Sequence, residues 1–407
     1  MGALETAPRS KTPMHLLITD SGLGGLSVCA ETERALRKAE GPKSGTRRAT
    51  SDSGHRTPDE DVQSVRITYF NAWPEPGTGY NDLPDIASRA RVFDRALASM
   101  AAMGPDRIVI ACNTLSIVYP HTAFSRTTAI PVLGIVDAGV DLFYEALTTD
   151  PASSIVMFGT RTTIESGVHR ERLIAKGIAA RRITGVSCHG LAKAIETDEG
   201  GEVIADFIEK CTARACQADP PGSPLYLGVC CTHYTYVKEE MRTALERRCG
   251  RRVDTLDPNA RLVAELLRQT GRGQGEGRAS SAPTVNDLAK AGSAPAVAEA
   301  GAAPTVNGLA EARSAEGRAS SAPTVNGLAE AGSAATVAEA GTGRGSRPAR
   351  SRPREEQILS HIPTAVTVVS KVELDDKRRR SMARRVEAIS PATAAALLSY
   401  TRVVDLF

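Results

Sequence analysis

The chain opens its first apolar stretch at MHLLITD, where Leu16, Leu17 and Ile18 lead into Asp20 and a cluster of glycines. A short unbroken apolar run stopped by an acid and glycines is the pattern of a strand buried on both faces that ends in a loop. Helix formers follow from Ser27 to Lys38. The alternation then repeats: apolar runs at Val65–Phe70, Arg107–Ala111, Pro131–Ile135, Ser154–Phe158 and Leu225–Val229 predict strands, and Ile86–Met103, Val140–Leu147 and Val203–Cys216 predict helices between them. Asp257-Pro258 ahead of NARLVAELLRQTG marks a helix start, with the acid as cap and proline at the first helical position; Gly271 stops it. Ala365–Val372 predicts one more strand and Asp375–Ile389 a basic helix. Strands alternating with helices make an α/β protein with mainly parallel sheets.

Two stretches break the pattern. Residues 41–64 are turn-rich and charged, which predicts a surface insertion. Residues 271–355 hold no aromatic residue and no Cys, Ile, Met or His, so their composition cannot bury enough apolar surface to offset ordering. GRASSAPTVN begins at Gly277 and again at Gly317. These units lack the large apolar positions that a stacked repeat needs, so disorder is expected rather than a solenoid. Because structure resumes beyond it, the tract reads as an insertion within a domain, which costs loop entropy only logarithmically. The five arginines from Arg344 to Arg354 have no interleaved aromatics and fit a solubilising linker end better than a nucleic-acid contact.

Composition adds little to fold class but narrows location. Lys and Arg exceed Asp and Glu by only 50 to 47, no argument for a polyanionic partner. The first fourteen residues lack the apolar core of a secretory signal, and no apolar run approaches the eighteen or so residues that span a bilayer. A soluble, cytoplasmic protein is expected. The eight cysteines show no framework spacing, and Cys230 and Cys231 are adjacent, which predicts reduced thiols free for chemistry.

Three polar clusters sit just past predicted strands, where open α/β sheets place ligands. They are Asp20-Ser21-Gly22-Leu23-Gly24-Gly25, Ala111-Cys112-Asn113-Thr114 and Cys230-Cys231-Thr232-His233-Tyr234. The first lacks the Lys-Ser/Thr of a phosphate-binding loop and, taken alone, is equally a tight strand-to-helix turn. Asp20-Ser21 adds an acid and a hydroxyl beside backbone N–H groups. Cys112 lies close to an expected helix N-terminus, which favours thiolate, although a lone buried cysteine is more often a small core residue. Cys231 has His233 nearby to accept a proton or balance its charge.

In this order the clusters resemble the glutamate racemase family, within the wider cofactor-independent aspartate/glutamate racemases. The family's D-S-G-x-G-G-L-S-V stands intact at Asp20–Val28, its A-C-N-T-x-S at Ala111–Ser116 and its C-T-H-Y at Cys231–Tyr234. PVLGIVDAG at 131–139 and GTRTTIESG at 159–167 are further echoes, and the resemblance spans 14–270 and resumes near 362. It implies two similar α/β lobes with the active site in the cleft between them. The first lobe would comprise 1–139 plus 253–407, with the insertions, and the second 140–252. It also implies interconversion of L- and D-glutamate to supply the D isomer for peptidoglycan, with no pyridoxal phosphate and no metal. A small amino acid is the implied partner, with neither nucleic acid nor membrane, and a homodimer is left open.

Racemisation removes a proton from one face of a weakly acidic α-carbon and returns one to the other, so it needs two opposed acid/base groups. By resemblance, Cys112 abstracts the proton from the D isomer and Cys231 from the L isomer. Asp20 would assist Cys112, His233 would assist Cys231, and Glu196 in CHGLAKAIETDEG stands where the family has a further assisting acid. Ser21, Asn113, Thr114, Thr162 and Thr232 are implied substrate binders, with Asp20 and His233 alongside. One departure falls on substrate choice. Where the family carries Asn-x-x-x-Pro-Tyr-Gly, this chain reads YFNAWPEPGTGYNDLPD at 69–85, so Tyr80 and Asn81 stand as the counterparts, with Asn in place of Gly. Aspartate or another amino acid therefore stays open as substrate.

Three rival schemes use the same residues differently. A Cys-His hydrolase explains Cys231 and His233 but leaves Cys112 idle. A zinc site drawn from Cys211, Cys216, Cys230, Cys231 and His233 matches no pair of compact ligand knuckles. A racemase-like protein kept as a ligand sensor would not need Asp20, Cys112, Cys231 and His233 together.

Overall fold

The computed structural model describes residues 13–38, 64–197, 201–218, 224–271 and 364–407. The stretches expected as insertions, 41–64 and 271–355, lie outside the described residues apart from Ser64 and Gly271.

Among the described residues ten strands alternate with helices: β1 (Met14–Asp20), β2 (Val65–Asn71), β3 (Arg107–Ile110), β4 (Val132–Gly134), β5 (Ser154–Gly159), β6 (Ile183–Ser187), β7 (Leu225–Cys230), β8 (Val253–Leu256), β9 (Thr364–Ser370) and β10 (Thr401–Arg402). They form a six-stranded sheet in the order β10-β9-β2-β1-β3-β4 and a four-stranded sheet in the order β6-β5-β7-β8, all neighbours parallel. Helices supply the crossovers, as parallel pairing requires. The most continuous apolar runs lie in the middle of the sheets: β5 is buried along its whole length and β1 everywhere but at Met14. Their side chains face helix layers on both sides, so no polar alternation is needed.

Register brings the strand ends that matter level with one another. Asp20 at the end of β1 pairs with Asn71 of β2, and Thr19 pairs with Ile110, which places Ala111 and Cys112 beside Asp20. In the second sheet Gly159 pairs with Cys230 and with Ser187, so Thr160 and Cys231 leave neighbouring strands at the same level. Both sets of carboxyl ends carry loops into the candidate site, in agreement with the general placement of ligands on open α/β sheets.

β8 pairs with β7, so Val253–Leu256 lies in the second sheet. VDTL is too short and polar to declare itself as a strand. The thiols, expected to be reduced, are not all free: Cys188 is joined to Cys211 and Cys216 to Cys249, leaving Cys29, Cys112, Cys230 and Cys231. Helix Gly201–Ala218 brings these partners together across separations of 23 and 33 residues, which no local spacing reveals. The same pairing takes Cys211 and Cys216 out of the imagined zinc set. Among the described residues no helix is long and apolar enough to cross a membrane.

Candidate active site

The glycine-rich turn after β1 is shaped by what it touches. A side-chain carbon at Gly24 would overlap the Thr232 hydroxyl and the His233 ring, and one at Gly22 would stand 2.6 Å from Glu196 Oε1. At Gly25 it would meet the Asp20 carboxylate at 2.8 Å. The glycines therefore let the first sheet's turn close directly on side chains from the second sheet. Tyrosine hydroxyls fix the turn from outside: Tyr69 donates to the Gly22 carbonyl at 2.7 Å and Tyr236 to that of Gly24 at 3.3 Å.

Cys112 caps the short helix Asn113–Val118, its sulfur accepting from the Leu115 N–H at 3.5 Å. Ser21 Oγ lies 3.2 Å from the same sulfur and 3.5 Å from Asp20 Oδ1, so it links thiol and acid. Burial first, and then the charge of Asp20, push the Cys112 thiol well up, which keeps it protonated at rest. Burial also raises the Asp20 carboxyl, against the opposing pull of His233 and Thr232.

Cys231 leaves β7 with a different set of neighbours. Its sulfur lies 3.8 Å from His233 Nδ1, and His233 Nε2 donates to Glu196 Oε1 at 2.6 Å. Glu196, on helix Leu191–Thr197, also accepts from the Leu23 N–H at 2.7 Å. Burial opposes charge on His233, but its bonds to Cys231 and Glu196 outweigh that and hold the imidazole well above its ordinary value. Burial likewise opposes charge on Glu196, and His233, Arg378 and the Leu23 N–H together bring its carboxyl below the usual range. Thr232 Oγ1 donates to Asp20 Oδ2 at 2.7 Å and so joins the Cys231 side to the Cys112 side.

The remaining expected residues line the same junction. Both polar atoms of the Asn113 amide, Thr162 Oγ1 and the Tyr80 hydroxyl are buried with no hydrogen-bond partner among the described residues. Buried polar groups are seldom left so, which makes these four atoms candidates for contacts to a polar ligand. Tyr80 packs edge-on to Phe93, and Cys112 adds to the burial that raises its hydroxyl. Asn81 reaches across to the second sheet, its Oδ1 accepting from the Thr162 N–H at 3.1 Å. Thr114 is used differently from expectation: its hydroxyl lies 3.0 Å from Thr160 Oγ1 and ties helix Asn113–Val118 to helix Arg161–Glu165. Printed contacts aside, hydrogen bonds thus join Asp20, Ser21, Cys112, Cys231, Thr232, His233 and Glu196 into one network, while Asn81 and Thr162 pair with each other beside it. Arg378, whose Nε stands 3.4 Å from Glu196 Oε2, was not anticipated; within Lys377-Arg378-Arg379-Arg380 nothing in the sequence singles it out.

The protein-family model described as Asp/Glu/Hydantoin racemase matches residues 46–266, more than half of the chain. A glutamate racemase of Aquifex aeolicus is 30% identical over 264 residues, covering 65% of this chain and 86% of its own. One from Clostridium perfringens is 27% identical over 252 residues, 61% of this chain and 80% of its own. A glutamate racemase structure from Bacillus anthracis aligns with a TM-score of 0.47 at 19% identity, covering 64% of this chain and 82% of that one. The extent of the family match, over a chain whose strand ends gather both cysteines, makes this protein a member of the Asp/Glu/Hydantoin racemase family.

Proposed function

We propose that the protein interconverts L- and D-glutamate without a cofactor, by proton transfer between two thiols. One observation carries the proposal: two free, buried cysteines at the ends of strands in different sheets, each with its own acid partner. Cys112 has Asp20 through Ser21, and Cys231 has Glu196 through His233. Starting from the L isomer, Cys231 as thiolate takes the α-proton, and Cys112 as thiol delivers its own proton to the opposite face. One C–H bond breaks and one forms, and no electrons are exchanged. The reverse path begins with the proton on Cys231. Imidazolium at His233 balances negative charge on Cys231, while Asp20 is placed to exchange a proton with Cys112 through Ser21.

The unpartnered Asn113, Thr162 and Tyr80 groups support binding of a substrate rich in oxygen and nitrogen. Neutral donors are enough to hold two carboxylates. The names of the relatives support glutamate. A second choice, aspartate, rests on Asn81, whose carboxamide occupies the Thr162 N–H and removes a donor from the cleft. Supply of D-glutamate for peptidoglycan, and with it a cytoplasmic location, follow as parts of the proposal. The lobes of that scheme are 1–139 with the chain beyond β8, and 140–256.

Single enantiomers of glutamate and aspartate incubated in D2O test it directly. Deuterium at the α-carbon together with loss of optical rotation is expected with glutamate. Neither change with either substrate would sink the racemase proposal, and exchange surviving in a Cys112→Ala, Cys231→Ala double variant would sink the two-thiol mechanism.

A further inference from the structure

We propose that Arg378 is a positioning residue that acts through Glu196 and His233 to keep negative charge on Cys231, and so decides which of the two cysteines is the thiolate at rest. The inference rests on the two-thiol proposal and adds to it the origin of the asymmetry.

Arg378 stands in the first turn of helix Asp376–Glu387, the helix that follows β9 of the first sheet. Asp375 caps that turn by accepting from the Arg378 N–H at 2.8 Å, and Ser381 Oγ donates to the Ile195 carbonyl at 3.4 Å, next to Glu196. The helix is thereby held against the one that carries the acid. Glu196 uses Oε1 for Leu23 and His233, and its other oxygen faces Arg378 Nε at 3.4 Å. The contact is an attraction of charges without the alignment of a hydrogen bond. The Arg378 side chain is about one-fifth exposed, with its Nε buried, and the Glu196 side chain only 5%.

A carboxylate and an imidazole 2.6 Å apart in a buried place can exist as a charged pair or, with the proton moved, as a neutral one. Arginine cannot give up its proton, so a guanidinium beside Oε2 favours the charged pair. Charged Glu196 keeps His233 protonated, and protonated His233 favours thiolate on its other side. Cys231 itself faces the buried Cys230 thiol and the Tyr234 hydroxyl, neither of which carries charge at neutral pH. His233 faces Cys231, Glu196 and Asp20; Glu196 also bears on the Tyr69 hydroxyl; Arg378 also has Asp375 Oδ2 at 4.0 Å. On the other side, Cys112 meets Asp20 and Ser21. One sulfur is thus served by a relay ending in a fixed cation and the other by an acid.

The test is the pH dependence of alkylation by iodoacetamide, followed separately for the Cys231 and Cys112 peptides by mass spectrometry on the full-length protein. Arg378→Met is expected to slow alkylation of Cys231 about three- to tenfold at neutral pH, displacing its profile upward by half a pH unit to one unit, while the Cys112 profile stays in place. Arg378→Lys should restore most of the difference. In the Glu196→Gln background, where the relay has lost its charge, Arg378→Met should have no further effect on Cys231. Profiles that do not move, or that move together for both cysteines, would overturn the proposal; so would an undiminished effect without Glu196. If Arg378→Met fails to fold, the same comparison is made with Arg378→Lys and Arg378→Gln. Racemisation with an unmoved Cys231 profile would defeat this inference alone, whereas a displaced profile in a protein that racemises neither substrate would defeat the proposed function alone.

Discussion

His169 is buried on helix Val168–Ala175 with its ring against Phe143, centroids 6.3 Å apart, and its Nε2 finds no hydrogen-bond partner among the described residues. Burial, helped by the charge of Arg172, lowers its imidazole from 6.5 to about 4. Between those values the unfolded chain binds the proton and the folded one does not. The histidine's effect is therefore harmless above pH 6.5, and stability is lost as the pH falls from 6.5 towards 4, by up to about 3 kcal/mol. His169→Leu removes the proton site while keeping an apolar side chain. Urea denaturation of the two proteins should show the variant gaining on the wild type through that window, and parallel stability profiles would show that the histidine is not held neutral. His233 shows the opposite outcome: it is also buried, but its bonds to Cys231 and Glu196 hold it charged. Burial alone does not decide protonation; the partner does.

The helix Asp376–Glu387 shows how an element's end can matter more than its length. Asp375→Ala removes the cap on the Arg378 N–H, which should cost about 1 kcal/mol of stability, read from chemical denaturation. The same change loosens the turn that presents Arg378, so kcat/KM should fall several-fold, while Asp375→Asn, which can still cap, should retain most of both. The sequence made this helix visible, with Leu26–Lys38, Ile86–Ala102, Ile135–Thr149, Gly201–Ala218 and Asn259–Gly271 but not Lys238–Cys249 or the shorter ones, along with β1, β2, β3, β4, β5, β7 and β9, because continuous apolar runs between polar turns have few alternatives. ITGVS of β6 and VDTL of β8 are short, interrupted by Gly185 or Asp254, and become strands only by pairing with β5 and β7. The site was legible to the same degree. Asp20, Cys112 and Cys231 fall at strand ends within distinctive motifs, whereas Glu196 lies in an ordinary helical stretch and was reached only through resemblance. Arg378 is one of four consecutive basic residues, and what distinguishes it is the direction of its side chain.

At the scale of the molecule, the chain beyond residue 364 completes structure begun near the N-terminus. β9 pairs with β2 from Thr364↔Val65 to Ser370↔Asn71, β10 extends the sheet beyond it, and Asn71 Nδ2 donates to Ser370 Oγ at 3.0 Å. A chain ending at Gly271 would leave the β2 backbone as an open, apolar edge, a template for aggregation, and would lack Arg378. Removing residues 275–350 instead keeps every described strand and all the candidate site residues, and leaves sixteen residues between Gly271 and Thr364, a reach of about 50 Å when extended. The internal deletion is expected to stay soluble with kcat/KM within about twofold of the full chain, and the truncation to be insoluble or inactive, as measured by gel filtration and racemisation assay. A deletion protein with an intact fold and no activity would give the tract a part in the reaction; a soluble, active truncation would show that neither β9 nor Arg378 is needed for it.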